Sequence, residues 1–152
     1  MTWARSTLQQ PARRQGDLFM KASLRHIAIS VPDIEVAAQF YESAFGMKRV
    51  NFAATPFGDG LSLSDGVVNL TLLHFHTDDA AGDERGKDFN GIHHIGFIVD
   101  DLEAMSARIE QHGGRFHREL KGGGGVDFER KFLDPNGVVF DISHKGWVGS
   151  KP

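Results

Sequence analysis

His26-Ile27-Ala28-Ile29-Ser30-Val31-Pro32-Asp33-Ile34-Glu35 and His94-Ile95-Gly96-Phe97-Ile98-Val99-Asp100-Asp101-Leu102-Glu103 are two copies of one segment. Histidine, isoleucine, valine, aspartate and glutamate coincide without a gap. The match runs on through Glu42 over Glu110 and Gly46 over Gly114, at a constant offset of 94 − 26 = 68 residues. Self-similarity at a fixed period marks a repeated structural unit. Two such units account for nearly all of the chain after its N-terminal stretch.

Each unit has the same order of signals. Leu24–Val31 and Ile92–Val99 are short, apolar and rich in β-branched residues, as buried strands are. Asp33 and Asp101 suit helix N-caps, because a side-chain oxygen there accepts a free backbone N–H. Val36, Ala37, Phe40, Tyr41 and Ala44 give one apolar stripe on a helix from Ile34 to about Phe45. Leu102, Ala104, Met105 and Ile109 give its mate. Gly46 and the Gly113-Gly114 pair suit the helix C-termini. Further β-like runs follow: Arg49–Ala53, Leu61–Ser64 and Val67–Phe75, then Arg115–Leu120, Asp127–Leu133 and Val138–Ser143. Gly58-Asp59-Gly60, Ser64-Asp65-Gly66 and Asp134-Pro135-Asn136-Gly137 read as the turns. The order is β-α-β-β-β, twice. One unit leaves a sheet face bare, but two side by side can curve around a shared concave face. The expectation is an α+β fold of two tandem βαβββ modules in one curved, half-barrel mixed sheet. Module one covers about 22–77 and module two about 91–147, within a single domain over 22–147. The polar Asp79–Asn90 stretch reads as a linker.

Composition narrows the function classes. The chain has 152 residues, enough for one domain and its core. A net charge of −3 gives no broad attraction to nucleic acid, and no apolar run is long enough to span a bilayer. There is no cysteine, so disulfides, thiolate metal sites and cysteine nucleophiles are excluded. Eight histidines make imidazole the obvious metal ligand, with carboxylate or amide oxygen beside it. Residues 1–21 read as a flexible tail. Met1–Arg14 is arginine-bearing and acid-free, but lacks the apolar core of a secretory signal. Met20 is an alternative start to Met1. Residues 148–152 read as a loose C-terminal tail. The expected setting is the cytoplasm.

The duplicated order, with histidine on the first strand of each unit, resembles the vicinal oxygen chelate superfamily of glyoxalases, epimerases, extradiol dioxygenases and bleomycin-resistance proteins. Leu24-Arg25-His26-Ile27-Ala28-Ile29-Ser30-Val31-Pro32-Asp33 and Gly91-Ile92-His93-His94-Ile95-Gly96-Phe97 carry the likeness. So does Asp134-Pro135-Asn136-Gly137-Val138-Val139-Phe140-Asp141, which resembles the family's closing DPxG and acid-bearing strand. The resemblance implies one divalent metal ion (Zn, Ni, Co, Mn or Fe) on the concave face. It implies His26, His94 and Asp141 as ligands. Asn69 falls where many members carry glutamate, glutamine or histidine, and stands as an optional further ligand. Asp141 is also the expected catalytic carboxylate.

Independently of any family, two imidazoles and a carboxylate leave coordination positions open for a substrate with two adjacent oxygens. Each residue also has a plainer reading. Asp141 in an apolar strand needs a metal or an ion pair with Arg130 or Lys131. Strand alternation turns His93 away from His94. His74 and His76 have the opposite parity from Asn69, as His144 has from Asp141. Arg130 is a candidate for holding an anionic substrate group, and Phe128 for lining the pocket, with Phe52, Phe57 and Trp147 open to either pocket or core. The Gly122–Gly125 run lacks the context of a phosphate loop.

The leading expectation is a metal-dependent lyase or isomerase working by proton transfer next to a carbonyl of a small substrate. An extradiol-type dioxygenase, with iron on the same triad, is the alternative. A non-catalytic sequestering protein of the resistance type is the third class. An open, edge-bearing sheet invites pairing, so a homodimer is expected.

Overall fold

The computed structural model describes residues 20–82, 85–120 and 129–152. Phe128 and the Gly122–Gly125 run lie outside the described residues, as does Met1–Arg14. The elements follow the duplicated order. The first unit is β1 (Ala22–Ser30), α1 (Ile34–Phe45), β2 (Lys48–Ala54), β3 (Gly58–Ser64) and β4 (Asn69–Phe75). A short α2 (Asp78–Ala81) precedes β5 (Gly91–Val99), α3 (Leu102–Gln111), β6 (Arg115–Leu120), β7 (Glu129–Leu133) and β8 (Val139–Ser143).

All eight strands form one open, curved mixed sheet in the order β2-β3-β4-β1-β5-β8-β7-β6. The two modules meet where β1 runs antiparallel to β5. Within each module the first strand pairs in parallel with the last, β1 with β4 and β5 with β8. This parallel pairing brings the first and last strands of each module to the middle of the sheet. Asp33 and Asp101 cap their helices as expected, each accepting from a backbone N–H three residues on. Gly46 ends α1 in the left-handed region at φ 69°.

The helices cover the convex face over two separate cores. One joins Ile34 and Ala38 of α1 to Leu61, Leu63, Leu70 and Leu72. The other joins Met105 of α3 to Val99, Phe132 and Ile142, with Met20 and Ile109 packed against it. The inward stripe of α1 is therefore Ile34–Ala38–Tyr41 with Ala37 at its side, which keeps Ala37 and Tyr41 of the stripe read from sequence but not Val36 or Phe40. Val36, Phe40 and Phe45 stand in solvent, 66%, 58% and 67% exposed. Binary periodicity misleads here because apolar residues lie on two faces of one helix.

Three further expectations change. Gly58-Asp59-Gly60 is not a turn but the start of β3; the chain turns at Thr55–Gly58, where Thr55 bonds to Gly58 through backbone and side chain. The polar linker is partly built, since Ala81 of α2 is fully buried and its carbonyl is used below. Residues 148–151 are not loose. Val148 and Gly149 carbonyls accept from Asn69 and Ser64, and Lys151 N–H donates to Val67. The end of module two is thereby tied to module one. No helix of the described residues is long and apolar enough to cross a membrane.

Candidate metal centre

The concave face holds a cavity of about 460 Å³ whose lining includes His26, Asn69, Thr71, His93, His94, Arg118, Glu129, Lys131 and Trp147. The expected histidines meet on it. His26 Nε2 lies 3.2 Å from His94 Nε2, and His94 Nε2 lies 3.2 Å from Asp141 Oδ2. All three side chains are buried.

The hydrogen-bond network assigns the protons. Asn69 donates its amide to the Val148 carbonyl, which turns Oδ1 toward His26. Oδ1 cannot donate, so His26 Nδ1–H donates to it over 2.7 Å and Nε2 keeps its lone pair. On the other side His93 Nε2–H must donate to the Ala81 carbonyl at 2.6 Å. His93 Nδ1 is then the acceptor for His94 Nδ1–H at 2.8 Å, and His94 Nε2 is bare as well. Two imidazole lone pairs and a carboxylate oxygen thus converge with no proton between them. Such a cluster repels itself unless a cation stands among the donors. The two 3.2 Å spacings about His94 are in the range that bonds of about 2.0–2.2 Å to a single ion produce, and all three donors lie within 4.8 Å of one another. The residues fit a divalent metal, with the outer imidazole nitrogens oriented as ligating histidines require.

This places Asn69 as the group that orients His26, its oxygen already engaged by His26 and Thr71. Register separates Asn69 from the position equivalent to Asp141. Asn69 lies opposite His26 itself, whereas Asp141 lies opposite Gly96, two residues past His94. The repeat mate of Gly96 is Ala28, and Ala28 pairs with Thr71. Thr71, not Asn69, is therefore the counterpart of Asp141.

His93 overturns the parity argument. Ala28 pairs with His94 but Ile29 pairs with Ile92, so His93 is the extra residue of a β-bulge. Alternation fails there and both histidines line the cavity. Arg130 is corrected in the opposite sense. Its guanidinium reaches α3, bonding to the Leu102 carbonyl, Ser106 and Glu103, on the convex face. Its neighbours Glu129 and Lys131 face the cavity instead. Lys131 Nζ lies 2.8 Å from each oxygen of Asp141. The ion-pair and metal readings of Asp141 thus meet on one side chain.

Sequence reasoning passed over Glu129 and left Trp147 undecided. Trp147 stacks on His26, ring centroids 4.6 Å apart, and donates Nε1–H to Glu129. Gly96 makes room for it: a Cβ there would meet the indole at 2.6 Å. Phe57 also lines the cavity, whereas Phe52 is 59% exposed outside it.

Burial, opposed by Asn69 and Asp141, lowers the His26 pKa to about 4. Burial and then Lys131 push His94 well below the usual histidine range. Burial first, then Asp141, raises Glu129 to about 7 against the pull of Lys131 and Trp147. In the metal-free protein these shifts act on stability in opposite directions. Below about 6.5 the unfolded chain takes up protons that folded His26 refuses, down to about 4, costing roughly 3 kcal/mol at this residue. Glu129, its folded pKa raised, contributes stability that is full below 4.5 and lost as pH rises to about 7. Chemical denaturation of metal-free protein is expected to show stability falling on both sides of a mildly acidic maximum. His26→Gln should make the acid limb shallower; an unchanged limb would contradict the assignment.

Residues 23–142 match the model of the Glyoxalase/Bleomycin resistance protein/Dioxygenase superfamily, and the chain belongs to that superfamily. Human mitochondrial methylmalonyl-CoA epimerase is 33% identical over 66% of this chain and 60% of its own length. Lactoylglutathione lyase of Schizosaccharomyces pombe is 29% identical over 66% of this chain and 40% of its own. The chain thus spans about 60% of the human relative's length. A Streptomyces coelicolor methylmalonyl-CoA epimerase structure, in complex with 2-nitronate-propionyl-CoA, shares the fold. Its TM-score is 0.67 at 23% identity, over 86% of this chain and 98% of that one.

Proposed function

We propose that the chain is a divalent-metal-dependent enzyme, glyoxalase- or epimerase-like, that acts as a lyase or isomerase on a small substrate with two vicinal oxygens. The observation that carries this reading is the convergence of three unprotonated donors, from His26, His94 and Asp141, beside an open cavity. Relatives named as an epimerase and a lyase support the class. A bound zinc, nickel, cobalt, manganese or iron ion would polarise the chelating oxygens as a Lewis acid.

The chain's own residues do the rest. Asn69 and His93 hold the two imidazoles in the ligating tautomer, and Trp147 fixes the plane of His26. Asp141, expected to double as the base, has both oxygens on Lys131 and is poorly placed to take a proton. Glu129, on the cavity wall and neighbouring Lys131 in the β7 sequence, is the carboxyl we assign to accept one from carbon beside the carbonyl. With zinc, nickel or cobalt loaded, solvent deuterium should enter a carbonyl-bearing substrate without oxygen uptake. Acyl-CoA esters and methylglyoxal–thiol adducts are the substrates to screen. Catechol cleavage with oxygen uptake, abolished by removing iron, would establish the dioxygenase alternative instead.

The same reading includes a homodimer. The sheet leaves β2 and β6 as open edges, and Val36, Phe40 and Phe45 form an uncovered apolar patch on α1. A second copy would cover these surfaces. Light scattering is expected to give twice the chain mass; monomer alone at micromolar concentration would overturn the proposal.

A further inference from the structure

One cation on the cavity wall has no counterpart among the described residues. Lys131 is matched by both oxygens of Asp141. Asp59 meets His76 at 3.3 Å, and Glu129 accepts from Trp147. Arg118 lines the same cavity, yet its Nε is buried without a hydrogen-bond partner. Its guanidinium forms no ion pair among the described residues. A guanidinium offers five donors in a planar fork and is always charged, so leaving it unmatched against a low-dielectric wall is costly.

Its place in the sheet is informative. Arg118 pairs across the strands with Lys131, and Lys131 pairs with Asp141. The three side chains form one row on the concave face across β6, β7 and β8. Two strand spacings, about 10 Å of backbone, separate Arg118 from Asp141. A ligand seated on the metal donors therefore meets this row on its β6 side.

We propose that Arg118 binds a carboxylate on the ligand of this cavity, so that the substrate is an acid whose anionic arm points toward β6. The orientation rests on the metal-site reading above; the carboxylate preference does not. One unmatched guanidinium suits a singly charged carboxylate, whose two oxygens take its fork in parallel hydrogen bonds. A doubly charged phosphate would require further donors, and the other cation on the wall, Lys131, is already engaged.

Calorimetric titration of zinc-loaded and zinc-free protein with glutarate, its monomethyl and dimethyl esters, and propyl phosphate tests this. Wild type should prefer glutarate to the monoester when zinc is bound, and the monoester to the diester when it is not. Arg118→Gln should weaken glutarate about 10- to 100-fold and erase both preferences, and Arg118→Lys should restore part of them. Zinc content should stay the same, because Arg118 is not among the donors. The variant removes an unmatched charge, and far-UV circular dichroism should report an unchanged fold. Failure to hold zinc would sink the metal reading and leave the zinc-free comparison to decide on Arg118. Wild-type glutarate affinity in Arg118→Gln, no binding of any acid by wild type, or preference for propyl phosphate would each overturn the carboxylate assignment.

Discussion

His26→Ala is expected to hold zinc more than about 100-fold more weakly than the wild type, because it removes a donor rather than a group behind one. The same cluster grades its neighbours. Asn69→Ala takes away the oxygen that fixes His26 Nδ1–H, and His93→Ala takes away the acceptor that fixes His94 Nδ1–H. Each variant leaves all three donors present but less well oriented, which corresponds to a loss of about 10- to 100-fold. Equilibrium dialysis with elemental analysis distinguishes the two grades. Were Asn69 itself a ligand, its variant would fall as far as His26→Ala. Unchanged zinc in His26→Ala would remove the basis for a metal enzyme altogether.

The order of effects shows what the sequence could and could not reveal. The repeat pairs His26 with His94 because both lie on the first strand of a module, and that inference needs only an ungapped offset. Asp141 follows from the third motif. Asn69 stands as an optional ligand only through the resemblance: Asn69 and Thr71 lie on one face, and only the parallel register opposite β1 tells them apart. His93 went astray on parity. One inserted residue in a strand reverses parity locally, and nothing in Gly91-Ile92-His93-His94 announces a bulge. For Arg130 and Lys131, adjacent cations on one strand, the residues alone do not say which faces in. Contact with α3 on one side and Asp141 on the other decides it. The Trp147–His26 stack joins residues from opposite ends of the described chain, and depends on the missing Cβ of Gly96. Local patterns specify elements and faces well, but long-range side-chain pairing arises only when the sheet closes around its own ends.

Lys131→Met should produce the largest change in folding stability. Asp141 is 0% exposed and Lys131 4% exposed. Their pair is worth little compared with an apolar replacement of both, but removing one partner leaves a carboxylate buried without its counter-charge. That typically costs about 3–5 kcal/mol, and the metal-free variant should unfold at correspondingly lower denaturant. Asp141 also faces the bare nitrogen of His94. In the variant a divalent cation bound there is the remaining positive charge within reach of the carboxylate. Zinc should therefore stabilise Lys131→Met more than it stabilises the wild type, where lysine and metal share one carboxylate. The double variant Lys131→Met/Asp141→Asn removes both charges. It should regain most of the metal-free stability yet gain little from zinc, having lost a donor. Denaturant melts of the three proteins, with and without zinc, separate the ion pair from the metal site. A Lys131→Met protein as stable as wild type without zinc would contradict the buried pair. Equal zinc stabilisation in all three would contradict Asp141 as a ligand.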